Sequence, residues 1–241
     1  MIFKFLQKPI HINAFVPENF SFANEWHPIV PSSKFIPPWW KNTPKSHFNF
    51  DEFKAIRTVK GCSGIIETFK NGYILPLWSD LAFSHSNEKD WKYQFADQMS
   101  TITPHINNQF QNFYTDHSFF KIDVPWLIET SENIKILTLD PFYLTNEPKP
   151  YVVPYGFLNT TMVLPLNFFL FVKKNQQYNH LLLKAGTPLL QIIPITEKPI
   201  KFTTEVLSER ECKLKFNKTR LYTFAHSGLN SIKILNDRKK K

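Results

Sequence analysis

Residues 162–195, MVLPLNFFLFVKKNQQYNHLLLKAGTPLLQIIPI, decide the fold class. Three apolar runs stand here, MVLPLNFFLFV (162–172), HLLLKAG (180–186) and PLLQIIPI (188–195), each of strand length and bounded by turn formers such as KKNQQYN. Continuous or alternating apolar runs this short read as buried strands, whereas a helix of the same hydrophobicity would repeat every 3.6 residues. The longest run carries Pro165 and Asn167 and falls well below the roughly 20 apolar residues that a spanning helix needs.

The same texture extends outward. GIIETF (64–69), YILPLW (73–78), FFKIDV (119–124), IKILTL (134–139) and YVVPYGFL (151–158) read as strands, with KNG, TSEN and TNEPKP as turns between them. Many short strands at such spacing predict a mainly β chain, an irregular β-sandwich, jelly-roll-like or barrel, rather than a βαβ repeat. Pro76, Pro154, Pro165 and Pro194 lie inside apolar runs. Proline has no N–H for a ladder, so these runs sit at edges, bulge, or break at the proline. Two segments read as helix. EKDWKYQFADQMSTI (88–102) places Trp91, Phe95 and Met99 in one i, i+4, i+8 stripe, and the segment 204–226 mixes Val206, Leu207 and Leu214 with charges behind Thr204 as a cap. The expected organisation is a single β-rich domain over 1–241. It has an extended N-terminal arm (1–45), a helix within 204–226 and a basic, disordered tail (236–241).

Composition narrows the class. The chain has 241 residues, 42% hydrophobic and 16% aromatic with 24 Phe, which is long enough and greasy enough for a substantial core. Cys62 and Cys212 are the two cysteines, in no close ligand pair, and a reducing setting is expected. Lys8, Pro9 and His11 interrupt the apolar opening before a signal-peptide core forms, so a soluble protein with no membrane partner is expected. Of the net charge of +9, four units are Arg238–Lys241. The body is therefore only mildly basic, and the tail, expected to be a solvated end, is the sole element that could engage nucleic acid.

The residues that point to binding are aromatic. In FIPPWWKN (35–42), Pro37 and Pro38 pre-extend the chain, so Trp39 and Trp40 are expected on opposite sides, one anchoring the arm and the other offered to a ligand. Trp78 precedes Asp80 by two residues, which on a continuing strand puts both on one face. Asp80 reads as a ligand carboxylate or as a turn cap. None of the eight histidines begins an HxH, HxD or HxE triplet, so no metal ligand set is assigned. Six glycines form neither GxGxxG nor GxxxxGK[ST], and GCSG (61–64) lacks the spacing of a nucleophile elbow. Cys62 reads as a buried structural thiol. No catalytic residue and no cofactor are expected, and the ligand-binding candidates are Trp39, Trp40, Trp78, Asp80 and Asn159.

Asn159 enters through resemblance. YGFLNTTMVLPLNFFLFV followed by LLLKAGTPLLQIIPI resembles, in order and spacing, the late strands of trimeric all-β dUTPases. Asn159 stands where that family has the Asp of a G-x-x-D turn. An amide there can hydrogen-bond a hydroxyl and cannot act as a base. Taken in order, PPWWKNTPK, TVKGCSGIIETFKNGYILPLWSD, PWLIETSENIKILTLDPFY, YGFLNTT and LLKAGTPLLQIIPI resemble an uncharacterised family encoded mainly by marine bacteriophages, over roughly 35–200. Cys62-Ser63 replaces the Cys-Pro that those relatives tend to carry. The resemblance implies a phage source, hence the cytoplasm of an infected host and the virion as locations, and no reaction. The function expected is a non-enzymatic, virion-associated or assembly-related β protein that binds a protein partner, or a second copy, through aromatic surfaces. The alternative is a small-ligand or glycan-binding β-barrel, or an enzyme, with its pocket near Trp39, Trp78, Asp80 and Asn159.

Overall fold

The computed structural model describes residues 7–85, 91–104, 116–144, 149–160, 163–173 and 180–217. Five sheets make up the mainly β architecture, and among the described residues none closes into a barrel. The first sheet runs, in spatial order, Leu164–Pro165 (β14), Leu127–Thr130 (β10), Ile10–Pro17 (β1) and Ile200–Leu207 (β18). The second runs Gly156–Asn159 (β13), Lys135–Leu139 (β11), Pro188–Ile195 (β17), Tyr73–Pro76 (β5) and Val30–Pro31 (β2). The third holds Tyr151–Val152 (β12), Phe168–Lys173 (β15), His117–Asp123 (β9) and Thr101–Pro104 (β8), and the fourth His180–Leu183 (β16), Leu81–His85 (β6) and Trp91–Phe95 (β7). Ser46–Asn49 (β3) and Lys54–Arg57 (β4) pair only with each other. Three short helices, Ser21–Trp26 (α1), Pro38–Asn42 (α2) and Ser63–Lys70 (α3), and a C-terminal one over 209–217 (α4), complete it.

One apolar core joins the first four sheets. Ile12, Leu75, Leu81, Ile122, Trp126, Leu170 and Leu190 belong to it and are fully buried, which gives the arrangement its sandwich-like character. Alternation on β1 shows how the pleat distributes the chain. Ile10, Ile12, Ala14 and Val16 face this core, while Phe15 points to the other side, where it packs with Val163 and Cys212 under α4. The expected extended arm is thus largely folded in. β1 is an interior strand, paired antiparallel to β10 and parallel to β18.

Prolines break strands where the sequence anticipates it. YVVPYGFL divides at Pro154 into β12 and β13, and MVLPLNFFLFV after Pro165 into β14 and β15, the two halves joining different sheets in each case. Pro194 is tolerated inside β17 because β5 ends opposite Ile192, which leaves that position a partner strand on one side only.

Three segments depart from the sequence reading. GIIETF forms α3, because Ile65, Ile66 and Phe69 occupy one helical face that packs beneath the tryptophans. The stripe in 88–102 yields strand β7 instead, where pairing with β6 buries Phe95 against Trp78 while Met99 stays exposed. Helix does not begin at Thr204: alternation and the parallel ladder with β1 carry β18 to Leu207. Ser208 then caps α4, its Oγ accepting from the Glu211 N–H at 3.3 Å while Glu211 accepts from the Ser208 N–H at 3.0 Å. Residues 218–226 and the basic tail lie outside the described residues.

Candidate functional site

Pro38 occupies the first position of α2, where its missing N–H is harmless and its fixed φ suits a helix. Trp39 and Trp40 are therefore helical neighbours, about 100° apart, not opposed residues of an extended arm. Both turn inward. Trp40 is 8% exposed and packs on Phe69 at 4.9 Å, and half-buried Trp39 meets Trp40 edge-to-face at 5.7 Å while its indole N–H donates to the Tyr143 carbonyl at 2.8 Å. Phe69 in turn contacts Tyr143 at 4.8 Å.

Below this aromatic block lies Gln191, 0% exposed, in the middle of β17. Its Nε2 is 2.9 Å from the Thr68 carbonyl, 2.8 Å from the Asn71 carbonyl and 3.2 Å from Ser32 Oγ, and its Oε1 accepts from the Tyr143 hydroxyl. Burial pushes the Tyr143 phenol far above its ordinary value, so it remains a donor. The amide thereby ties β17, the end of α3, the turn before β5 and the 142–144 segment together. Gly72 makes the approach possible: its φ is +78°, and a Cβ there would lie 2.2 Å from the Ile192 carbonyl oxygen. An isolated amide in PLLQIIPI is the signal that could have revealed this hub.

The other candidates fall elsewhere. β5 ends at Pro76, so the alternation expected for Trp78 and Asp80 is lost. Trp78 enters the main core, stacked on Phe95 and donating to Ser100 Oγ at 2.7 Å. Asp80 accepts from Lys184 Nζ and from the Ala185 N–H, both at 2.8 Å, and those two bonds, the lysine's first, hold its carboxyl below the ordinary aspartate range. That is a turn cap. Asn159 is exposed at the end of β13, opposite Lys135. Of the five, only Trp39 and Trp40 share a cluster. A cleft of ≈ 620 Å³, lined by Glu67, Lys70, Tyr73, Glu197 and Lys198 among others, contains none of them. Cys62 is exposed and Cys212 is the buried thiol, the reverse of what was expected for Cys62. No cluster of three His, Cys, Asp or Glu suited to a metal occurs among the described residues, and no described helix is long and apolar enough to cross a membrane.

Trp26, Tyr155 and Phe157 are exposed in other parts of the fold, but exposed rings in mutual contact occur in SHFNFDEFKAIR (46–57), a segment that the sequence reading did not single out. In this hairpin Phe48, Phe50 and Phe53 are 46%, 79% and 83% exposed, and Phe48 meets Phe50 at 5.1 Å and Phe53 at 5.6 Å. Asn49 Oδ1 accepts from the Asp51 N–H at 3.0 Å and shapes the tip, where Phe53 takes a left-handed φ of 51°. The base is fixed to the tryptophan helix. Lys60 Nζ donates to the carbonyls of Lys41 and Thr43, each at 2.8 Å, and the Thr58 N–H donates to the Lys45 carbonyl at 3.1 Å. Trp39 and Trp40 thus root the segment from which the phenylalanines project. Three phenylalanines two or three residues apart in a polar stretch were the available signal.

No protein-family model, curated protein or solved structure matches this chain.

Proposed function

We propose that the chain is a non-enzymatic, phage-encoded β protein, virion-associated or acting in assembly, that binds a protein partner through the phenylalanines of hairpin 46–57. The observation that carries this reading is that Phe48 touches both Phe50 and Phe53 while all three rings stay exposed to water. Single exposed apolar residues are ordinary, but a contiguous aromatic patch on a projecting ribbon marks an interaction site. A two-stranded ribbon gains little from itself, and ring contacts contribute only about 0.5–1.5 kcal/mol a pair. Covering the exposed parts of the three rings, on the order of 300 Å², would release roughly 7 kcal/mol of gross hydrophobic free energy. Much of that offsets the cost of association, which leaves the few kcal/mol typical of an aromatic hot spot. Lysine, asparagine, phenylalanine and isoleucine usage and the order of motifs support the phage source, with infected-cell cytoplasm and virion as locations.

The test places a photo-cross-linking phenylalanine analogue at position 53 of the full chain in infected cells. One virion or assembly protein is expected to be trapped. Against that purified protein, Phe50→Ser/Phe53→Ser should raise Kd about 30-fold or more while the fold, followed by circular dichroism, is retained. Diffuse cross-linking with no discrete product, or a double variant that binds within twofold of wild type, would refute the proposal.

A further inference from the structure

Among the described residues, sheet edges are short, with one exception. β14, β2 and β12 have two residues, β13, β8 and β16 four, and β7 five, and Pro165, Pro31 and Pro104 lie in three of them. β18 is also an edge. Yet its eight residues, IKFTTEVL, contain neither proline nor glycine and run in unbroken register beside β1. Proteins blunt edges with short strands, prolines and bulges, because an open edge pairs with other strands. β18 has none of these, and the only edge-protecting feature it carries is its exposed charges, Lys201 and Glu205.

The backbone phase of this edge follows from one bond. The Ile10 N–H donates to the Pro199 carbonyl at 2.9 Å, so the N–H and C=O groups of Lys201, Thr203 and Glu205 turn toward β1. Those of Ile200, Phe202, Thr204 and Val206 turn outward. Among the described residues, no backbone hydrogen bond outside the ladders reaches 200–207. On the outer face Lys201, Thr203 and Glu205 form an exposed row. Asn13 orders two of its members, accepting from Thr203 Oγ1 at 3.1 Å and donating to the Glu205 carboxylate.

We propose that β18 is a self-association edge, through which two copies of this chain pair antiparallel about a two-fold axis at Thr203 and join their first sheets into one. Outward-facing residues must meet as hydrogen-bonded pairs, which restricts the axis to Phe202, Thr203 or Thr204. An axis at Phe202 sets Lys201 against Thr203, and one at Thr204 sets Glu205 against Thr203. Only the axis at Thr203 places Lys201 opposite Glu205, and symmetry does so twice. These are non-hydrogen-bonded positions, where side chains approach most closely and charge pairing counts most. The same register sets Ile200 against Val206, which is 38% exposed in the single chain, and forms about eight backbone hydrogen bonds between copies. This edge belongs to a different sheet from hairpin 46–57, and its assignment does not depend on the hairpin's role.

Sedimentation equilibrium of the full chain over a concentration series tests it. Wild type should form a reversible dimer. Lys201→Glu and Glu205→Lys should each weaken association about tenfold or more, since a like-charged pair then occurs twice, and Lys201→Glu/Glu205→Lys should restore it. Phe50→Ser/Phe53→Ser should dimerise as wild type does. A chain monomeric at every concentration, single reversals that leave association unchanged, a charge swap that fails to recover it, or a dimer lost only with the phenylalanines would each overturn the assignment.

Discussion

Replacing Gln191 with leucine keeps the bulk of the side chain and deletes its amide. Four groups around it change state: the Tyr143 hydroxyl loses the acceptor that Gln191 supplies, and the carbonyls of Thr68 and Asn71 and the Ser32 hydroxyl oxygen lose a donor. Asn71 keeps a bond from Ser32 Oγ at 2.9 Å, so its loss is partial. A buried group stripped of its partner costs about 1–3 kcal/mol. Allowing for the apolar gain of leucine, Gln191→Leu should cost about 3 kcal/mol. For a chain of this size that lowers Tm by roughly 10 °C. Thermal and denaturant unfolding followed by circular dichroism would measure it. A double-mutant cycle with Tyr143→Phe should then give a coupling of about 1 kcal/mol or more, as contacting residues do. If Gln191→Leu unfolds within 0.5 kcal/mol of wild type, or the two changes simply add, the amide is not the tie described above and the reasoning fails.

Other outcomes follow from the same packing. Trp40→Ala empties a buried ring site against Phe69 and should cost about 3–5 kcal/mol, as read from the urea midpoint; an unchanged midpoint would mean the ring is dispensable. Asp80 has a depressed folded-state pKa, so its contribution is complete above the unfolded value of about 4 and fades as pH falls through the folded value. The stability gap between wild type and Asp80→Asn should therefore be widest near neutrality and close in acid, and a gap that widens in acid would contradict the lysine and backbone contacts. Thiol titration of the native protein should label Cys62 promptly and Cys212 only after unfolding, because burial both shields that thiol and raises its pKa; two thiols reacting at one rate would contradict the packing of α4.

How much was legible before folding differs by element. Strand existence was readable where one face or both are apolar, as in FFKIDV, IKILTL and PLLQIIPI, because burial of a pleated surface demands those residues whatever lies above it. The same apolar content misled in GIIETF, where the covering surface is a pair of indoles and a helix presents Ile65, Ile66 and Phe69 together. It misled again in 91–99, where pairing with β6 outweighs a helical stripe. For the site, the aromatic character was legible and the location was not. FIPPWWKN read as an extended segment with one indole anchoring and its neighbour offered outward, whereas both turn inward, because Pro38 starts a helix when a cluster awaits its tryptophans and continues an extended segment when none does.

The residue string by itself determined a β-rich, aromatic chain whose prolines interrupt its strands, since those properties reside in side-chain volume, alternation and a missing N–H. Tertiary structure alone decided that Gln191 is a buried hub, that three phenylalanines of 46–57 stay in water, and that β18 ends a sheet beside β1. Each of these depends on contacts between residues far apart in the chain, and the spacing of neighbours along a sequence carries no record of which distant surface will cover them.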